Sequence, residues 1–424
     1  MADEPSTSDG WQAQFSKNDQ AWIADRFASL DGLASFVGEG LPNILEYGFS
    51  YTDLQAAYDG AKTGSMAMDN FVKIGNRHLE TARAKEADGF PNSAFEYYLR
   101  ATQCFTRASW AILDAEDEYK RYQHGRALDA YEKVIELNPH YEMAKVDVPL
   151  PFHDEALPAV FHKAGEDGAP TILHLPGMDM TKEQTPNHIN NRFVQRGMNV
   201  LTVDGPGQGE ARLRGICDDD HTVYQRAGSA AIDWLVAQPA VDASRIGVYG
   251  TSMGSYFGPR VAVEDDRVSA LAIIKGAWYS KDTLFDEAPP AFKQRYMYMS
   301  GITDEDAFDA FAAGMTVAGL ESQIEVPTFV AHGEYDQLTP RELSIDFYEG
   351  LAGPKQLQLY ENAFHGIGDA DVMCDIVDWF EAVWRGDIDD DHAEARYVPD
   401  YAKHSYIPSP KFDFVTQPDK PEGA

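Results

Sequence analysis

RIGVYGTSMGSYFGPRVAVE, residues 245–264, decides how the rest of the chain is read. Its first six residues suit a β-strand and its last ten suit a helix, so the chain must turn sharply between them. At that turn stands Gly250-Thr251-Ser252-Met253-Gly254, a G-x-S-x-G pattern. A serine held on a tight strand-to-helix turn leaves no room for neighbouring Cβ atoms, which is why glycine stands two residues to either side. The pattern is short and its setting carries the weight: strand, turn and helix together make Ser252 a candidate nucleophile.

Working outward, short apolar runs alternate with helical stretches. TILHL (171–175), NVLTVD (199–204), RIGVYG (245–250), ALAIIKG (270–276), PTFVAHG (327–333) and QLQLYE (356–361) are expected strands. Runs that are apolar on both faces and spaced by helices indicate a mostly parallel sheet covered on both sides. VDVPLPF and ALPAVFH, just upstream, read as a strand pair. Residues 1–145 form an N-terminal helical domain: Ala94, Tyr98, Ala101, Phe105, Ala108 and Ile112 recur at helical spacing, and Asn138-Pro139 ends the last helix. Residues 146–385 form the α/β domain. Within it, about 278–325 breaks the rhythm and reads as a helical lid insertion. Residues 386–424 are expected to be an acidic tail containing Pro and Tyr that wraps or frays.

A nucleophilic serine needs a base, and the base needs an orienting carboxylate. Asp336 follows one expected strand in HGEYDQLTP, and His365 follows the next in FHGIGD. The order Ser252, Asp336, His365 is the one a G-x-S-x-G serine requires, and each stands at the C-terminal end of a strand, where an open α/β sheet places its site. The oxyanion of a tetrahedral intermediate needs amide donors. The backbone N–H of Met253 offers one. The loop HLPGMDM (174–180) offers the other, from Met178 or its rival Asp179.

Two further segments invite other chemistry. DGPGQGEAR (204–212) is glycine-rich after a strand, but its spacing is G-x-G-x-G, so a structural loop at the rim of the site is expected and no dinucleotide. Cys217-Asp218-Asp219-Asp220-His221 lacks a matching ligand pair and reads as a solvated acidic loop, with no metal and no cofactor.

Composition bounds the rest. The 424 residues carry 35 Lys+Arg against 69 Asp+Glu, a formal charge of −34, and 16 of the 35 are Lys. Such a surface repels nucleic acid and anionic membranes before contact. It fits a protein adapted to concentrated salt, whose folding and activity would improve with molar KCl or NaCl. The same field disfavours polyanionic substrates and favours a neutral or aromatic ketone or ester. Three widely spaced cysteines suggest a reducing compartment, and the polar N-terminus with no long apolar run suggests a cytoplasmic, soluble protein. A helical domain beside a large sheet also offers a homodimer surface.

HLPGMDMTKEQ, VDGPGQGEAR, GTSMGS, HGEYDQLTP and FHG follow in order behind a helical domain. In this the chain resembles the α/β-hydrolase superfamily. More narrowly it is similar to the group that holds 2,6-dihydroxypseudooxynicotine hydrolase, the fungal polyketide-shortening hydrolases of pigment synthesis and the fermentation-respiration switch proteins. The resemblance covers roughly residues 60–385, and the P-G-x-x-x-T-K-E loop (176–183) is its more selective part. It implies an α/β-hydrolase fold in which Ser252 is the nucleophile, His365 the base and acid, and Asp336 its partner. It further implies hydrolysis of a C–C bond beside a ketone, with a carboxylate after the next strand that handles a phenolic or enolic group. Here DEAPP places Glu287, or Asp286, in that position. An ester is the equal choice on chemistry alone. Competing readings are a non-catalytic interaction protein of the switch-protein type, which would not require the three residues, and a peptidase, which usually carries a propeller absent here.

Overall fold

The computed structural model describes residues 41–399, apart from 166, 179, 278, 279 and 369. Five helices come first: α1 (Leu41–Glu46), α2 (Tyr51–Tyr58), α3 (Gly64–Ala87), α4 (Pro91–Trp110) and α5 (Glu118–Leu137). Helix α4 buries the expected stripe of Ala94, Tyr98, Ala101, Phe105 and Ala108, but it ends at Trp110 and leaves Ile112 outside. A Cβ at Gly75 of α3 would come within 2.6 Å of the Phe105 ring, so glycine is what lets these two helices meet.

Nine strands follow in one sheet: β1 (Glu142–Val148), β2 (Leu157–Lys163), β3 (Ala169–Leu175), β4 (Asn199–Val203), β5 (Val241–Thr251), β6 (Val268–Ile274), β7 (Thr328–Gly333), β8 (Lys355–Tyr360) and β9 (Ala393–Val398). Their order is β1-β2-β4-β3-β5-β6-β7-β8-β9. The first two pair antiparallel, and everything from β4 to β9 is parallel. Because β4 lies on one side of β3 and β5 on the other, the chain reverses direction of travel at the β3/β5 boundary. Loops leaving those two strands diverge there and open a crevice at their C-terminal ends.

Alternation along the strands sends apolar side chains to both faces. Leu173, Leu201, Val248, Leu271 and Val330 join one core with helices α7 (Gly209–Leu213), α8 (Val223–Val236), α9 (Gly254–Glu264) and α12 (Arg341–Gly350). Ile172, Val200, Tyr249, Ala272 and Phe329 join the other with α6 (Arg192–Gln195) and α13 (Ala370–Arg385).

Two expected boundaries shift. The sheet begins at Glu142, inside the stretch assigned to the helical domain. It also runs past residue 385: Ala393–Val398 pairs with β8 in parallel, Ala395 and Tyr397 pack on the core, and Arg396 binds Asp375 at 2.5 Å. The tail therefore supplies an edge strand. Its period-2 alternation is short and half-charged, and the acidic run before it disguised it. Residues 1–40 and 400–424 of the expected domains lie outside the described residues.

The lid insertion between β6 and β7 holds a π-helical turn (Asp282–Glu287), α10 (Ala291–Ser300) and α11 (Glu305–Ala312). Phe285, Tyr296 and Phe308 form an edge-on aromatic cluster with centroids 5.1–6.1 Å apart. All of Tyr296, Met297, Tyr298 and Met299 are buried, so α10 is packed on every side. Among the described residues, no helix is long and apolar enough to cross a membrane.

Beside His78, which faces Asp53 at 3.0 Å, five described histidines are buried: His124, His162, His174, His188 and His332. Burial disfavours the imidazolium and pushes His124, His188 and His332 down to about 4 and His174 to about 3, and it holds His162 well below the usual range. An unfolded histidine takes its proton near pH ~6.5, so the folded state binds fewer protons below that value and loses stability as pH falls from ~6.5 towards 4. Two buried carboxylates, Asp204 raised to about 6 and Asp218 raised to about 7, act in the opposite sense, but five groups outweigh two. Urea unfolding in molar salt should therefore show a clearly lower midpoint at pH 5 than at pH 7.5. Equal midpoints would refute the assignment of these histidines as neutral in the fold.

Candidate active site

The turn after β5 is as tight as the glycine spacing suggests. Ser252 adopts φ 55°, and its amide donates to the Ile274 carbonyl at 3.0 Å. A Cβ on Gly250 would lie 2.1 Å from the Gly254 carbonyl oxygen, and one on Gly254 would lie 2.1 Å from that of Leu175. Both glycines are thus required by backbone packed against backbone, and the strain at Ser252 is held by it.

Loops from β7 and β8 bring the next two residues to this turn. Ser252 Oγ lies 2.8 Å from His365 Nε2, and His365 Nδ1 lies 2.7 Å from Asp336 Oδ2. A carboxylate can only accept, so Nδ1 carries the hydrogen and Nε2 is left to accept from the serine hydroxyl. The other Asp336 oxygen accepts from the amides of Leu338 and Thr339 at 2.8 and 3.2 Å. Burial pushes the Asp336 carboxyl up, but His365 beside it and these amides outweigh burial and hold it below the usual range. The approach of the two loops again depends on a glycine: a Cβ on Gly333 would strike the Phe364 carbonyl at 2.2 Å.

The expected oxyanion donors lie on either side. Met253 is the N-cap of α9, and Gly177, next to Met178, packs so closely that its Cβ would lie 3.2 Å from Ser252 Cβ. Met178 and Ser252 line one cavity of about 370 Å³. Asp179 lies outside the described residues. Glu287 is exposed at the end of the π-helical turn and does not line this cavity, whereas Leu284 of the same turn and Phe292 of α10 reach the nucleophile's surroundings. Asp286 pairs with Lys281 at 2.6 Å. Neither carboxylate lines the cavities at Ser252.

The cavity's roof comes from the helical region. Ile44 of α1, Tyr47 just after it, Phe49, Leu54 of α2, and Arg107 and Trp110 of α4 line it. Ion pairing of Arg192 with Glu46 and donation from Arg295 to the Trp110 carbonyl at 2.7 Å fasten that roof.

Two residues behind the site carry no signal that sequence reading could isolate. Gln208, in the glycine-rich loop, donates to the carbonyls of Pro176 and Gly177 at 3.2 and 2.8 Å, while its own carbonyl accepts from Gly205 N–H and the Tyr224 hydroxyl. It thereby fixes the Pro-Gly turn from which Met178 extends. Replacing it with Leu should lower kcat about tenfold with little change in KM, because a displaced donor is felt in the transition state and not in binding. A proportionate rise in KM with unchanged kcat would show that Gln208 serves binding alone.

Lys182 is the second. Its ammonium is fully buried between Glu183, Asp204 at 3.0 Å and Glu210 at 2.9 Å. Its amide also donates to Asp204 at 2.8 Å, and Glu210 N–H donates to the other Asp204 oxygen at 2.8 Å. This cluster ties the loop after β3 to the loop after β4, directly under the candidate oxyanion donors. The acidic loop 217–221 also differs from expectation: Asp218 is buried, with its carboxylate against the Tyr296 hydroxyl, because α10 closes over it. No group of three His, Cys, Asp or Glu among the described residues is placed to hold a metal ion.

Comparison with known proteins agrees with this architecture. Residues 187–386 match the prolyl oligopeptidase family. The chain is 29% identical over 297 residues to 2,6-dihydropseudooxynicotine hydrolase of Paenarthrobacter nicotinovorans, covering 69% of this chain and 76% of that one. It is 28% identical over 207 residues to the hydrolyase poxO of Penicillium oxalicum, covering 47% of this chain and 49% of that one. A crystal structure of 2,6-dihydroxy-pseudo-oxynicotine hydrolase superposes with a TM-score of 0.70 at 24% identity, covering 82% of this chain and 97% of the other.

Proposed function

We propose that this chain, a member of the α/β-hydrolase superfamily, is a serine hydrolase that cleaves a small carbonyl substrate through an acyl-enzyme on Ser252. The bond cut is a C–C bond next to a ketone or a carboxylic ester. One observation carries the reading: the unbroken hydrogen-bonded chain Ser252–His365–Asp336, whose first two residues line a cavity.

As the serine Oγ attacks the substrate carbonyl, its proton passes to His365 Nε2. Asp336 keeps Nδ1–H fixed and stabilises the imidazolium that forms. The developing oxyanion is received by the amides of Met253 and Met178. Collapse of the intermediate expels the leaving group, which takes the proton from Nε2. A water molecule then gives a proton to His365 and attacks the acyl carbonyl; the acyl C–Oγ bond breaks, Ser252 Oγ takes that proton back and the acid is released. For a C–C substrate the same proton must be delivered to a departing carbon, so a second carbonyl or similar group on the leaving side has to stabilise the carbanion. A cavity of about 370 Å³ suits a compact molecule and supports a small-molecule substrate over a peptide chain. The names of its relatives, a dihydropseudooxynicotine hydrolase and a hydrolyase, support the same class.

A panel of p-nitrophenyl esters and acyl-phenol diketones tests the reading and separates the two bond types. In that panel Glu287→Gln should leave both activities within about twofold of wild type, since the exposed carboxylate does not line the cavity. A selective loss of diketone turnover in this variant would restore Glu287 as a substrate-handling group.

A further inference from the structure

Among the described residues, three besides glycine have positive φ: Ser252, Lys275 and Asn362. The first is the candidate nucleophile. Asn362, at φ 56°, stands three residues before His365, in the turn that leaves β8. Asparagine takes this left-handed conformation more readily than most residues, but its surroundings must still hold it there. Its backbone N–H donates to Glu334 Oε2 at 3.0 Å, and Glu334 stands two residues before Asp336. The turn that carries the base is thus fastened to the turn that carries its carboxylate partner.

Several elements meet on Glu334. Its own amide, just past β7, donates to the Tyr360 carbonyl at the end of β8 at 3.0 Å. Arg341, the first residue of α12, lies 3.4 Å from its Oε1. The Tyr397 hydroxyl of β9 donates to the same carboxylate; burial first, and then this bond and the negative charge beside it, hold the phenol well above its usual range. Strand β9 reaches the turn through its backbone as well, because Glu361 N–H, next to Asn362, donates to the Val398 carbonyl at 2.9 Å. The Glu334 side chain is only 10% exposed, so its acceptor oxygens are poorly replaced by solvent. Alongside it, Tyr335 N–H donates to the Ala363 carbonyl at 2.8 Å, two residues before His365.

We infer that Glu334 is a positioning residue and that Tyr397 of the edge strand orients it: together they fix Asn362, and through that turn the placement of His365 Nε2 against Ser252 Oγ. This rests on the serine-hydrolase reading and deepens it, because it gives a task at the site to β9, a strand that supplies no reacting atom. Proton transfer across the 2.8 Å between Oγ and Nε2 is sensitive to such placement, since a shift of ~1 Å can cost about 10²-fold in rate.

The test measures steady-state kinetics on a p-nitrophenyl ester, with the melting temperature of each variant. Glu334→Ala should lower kcat about 10- to 100-fold and leave KM within about twofold. Glu334→Gln keeps an acceptor oxygen for Asn362 and should restore kcat to within about threefold of wild type, because the Arg341 pair it weakens is long and contributes little. Tyr397→Phe should lower kcat about fivefold. Arg396→Gln is the control on the same strand: it breaks the pair with Asp375 without touching Glu334, and kcat should stay unchanged whatever the melting temperature does. If Glu334→Ala does not fold, Tyr397→Phe against Arg396→Gln carries the comparison. A wild-type kcat in Glu334→Ala or Tyr397→Phe, with turnover that still depends on Ser252, overturns the positioning role and leaves the hydrolase reading standing. So does an equal fall in Arg396→Gln, or a Glu334→Gln variant as slow as Glu334→Ala. A wild type with no Ser252-dependent turnover removes both.

Discussion

Ser252→Ala should lower kcat/KM for any ester or ketone the protein turns over by about 10⁴- to 10⁶-fold, with secondary structure and melting temperature close to wild type. Alanine keeps the Cβ that packs against Gly177 and removes only the oxygen 2.8 Å from His365 Nε2. The three residues act as one unit, so Ser252→Ala and His365→Ala combined should cost little more than either alone. Asp336→Asn should cost about 10⁴-fold, because an amide can donate to Nδ1 and stabilise the wrong imidazole tautomer. Its remaining oxygen would still accept from Leu338 and Thr339, so the loop should hold. Steady-state kinetics on purified variants with matched circular dichroism checks all three. A residual activity within tenfold of wild type in Ser252→Ala would mean that another group performs the attack.

The second large effect lies away from the reacting atoms. Lys182→Met should destabilise the fold by about 3–5 kcal/mol, because it leaves Glu183, Asp204 and Glu210 buried around an apolar side chain. Even with Lys182 present, three carboxylates around one ammonium cannot all be ionised comfortably. Burial drives Asp204 upward to about 6 against the pull of Lys182, with Glu183 adding to the rise. Glu210 also feels burial, but Lys182 and Arg214 more than offset it and bring it to about 2. Removing the cation should therefore be largely reversed by removing charge from its partners: Lys182→Met combined with Glu183→Gln and Asp204→Asn should recover a substantial part of the loss. Urea unfolding gives both numbers. A single-variant loss under 1 kcal/mol would show that the cluster adds little to holding the two loops together.

The sheet was legible because its strands are apolar on both faces and punctuated by glycine and proline, and all six expected strands form. The nucleophile's turn was legible for a local reason: Gly250 and Gly254 are dictated by contacts within five residues and with the adjacent strand end. Asp336 and His365 stand where the strand order and chain order suggested, and the structure adds the distances that join them to Ser252.

What stayed hidden is non-local. Lys182 stands out in the TKE loop only by resemblance, because its three partners come from its neighbour and from the end of another strand. Asp218 sits in a run of three aspartates, and nothing in that run marks the one that α10 will cover. Glu287 had a plausible place in the chain order, but side-chain direction within the insertion decides exposure, and chain order does not contain it.

Covalent labelling is the most direct measurement of the central claim. Wild-type protein and Ser252→Ala would each be treated with a fluorophosphonate probe, digested and mapped by mass spectrometry. The expected result is one stoichiometric adduct on the peptide that carries Ser252, lost in Ser252→Ala and much slowed in His365→Ala. An unlabelled wild type, or an adduct that survives in Ser252→Ala, would contradict a serine nucleophile at this site.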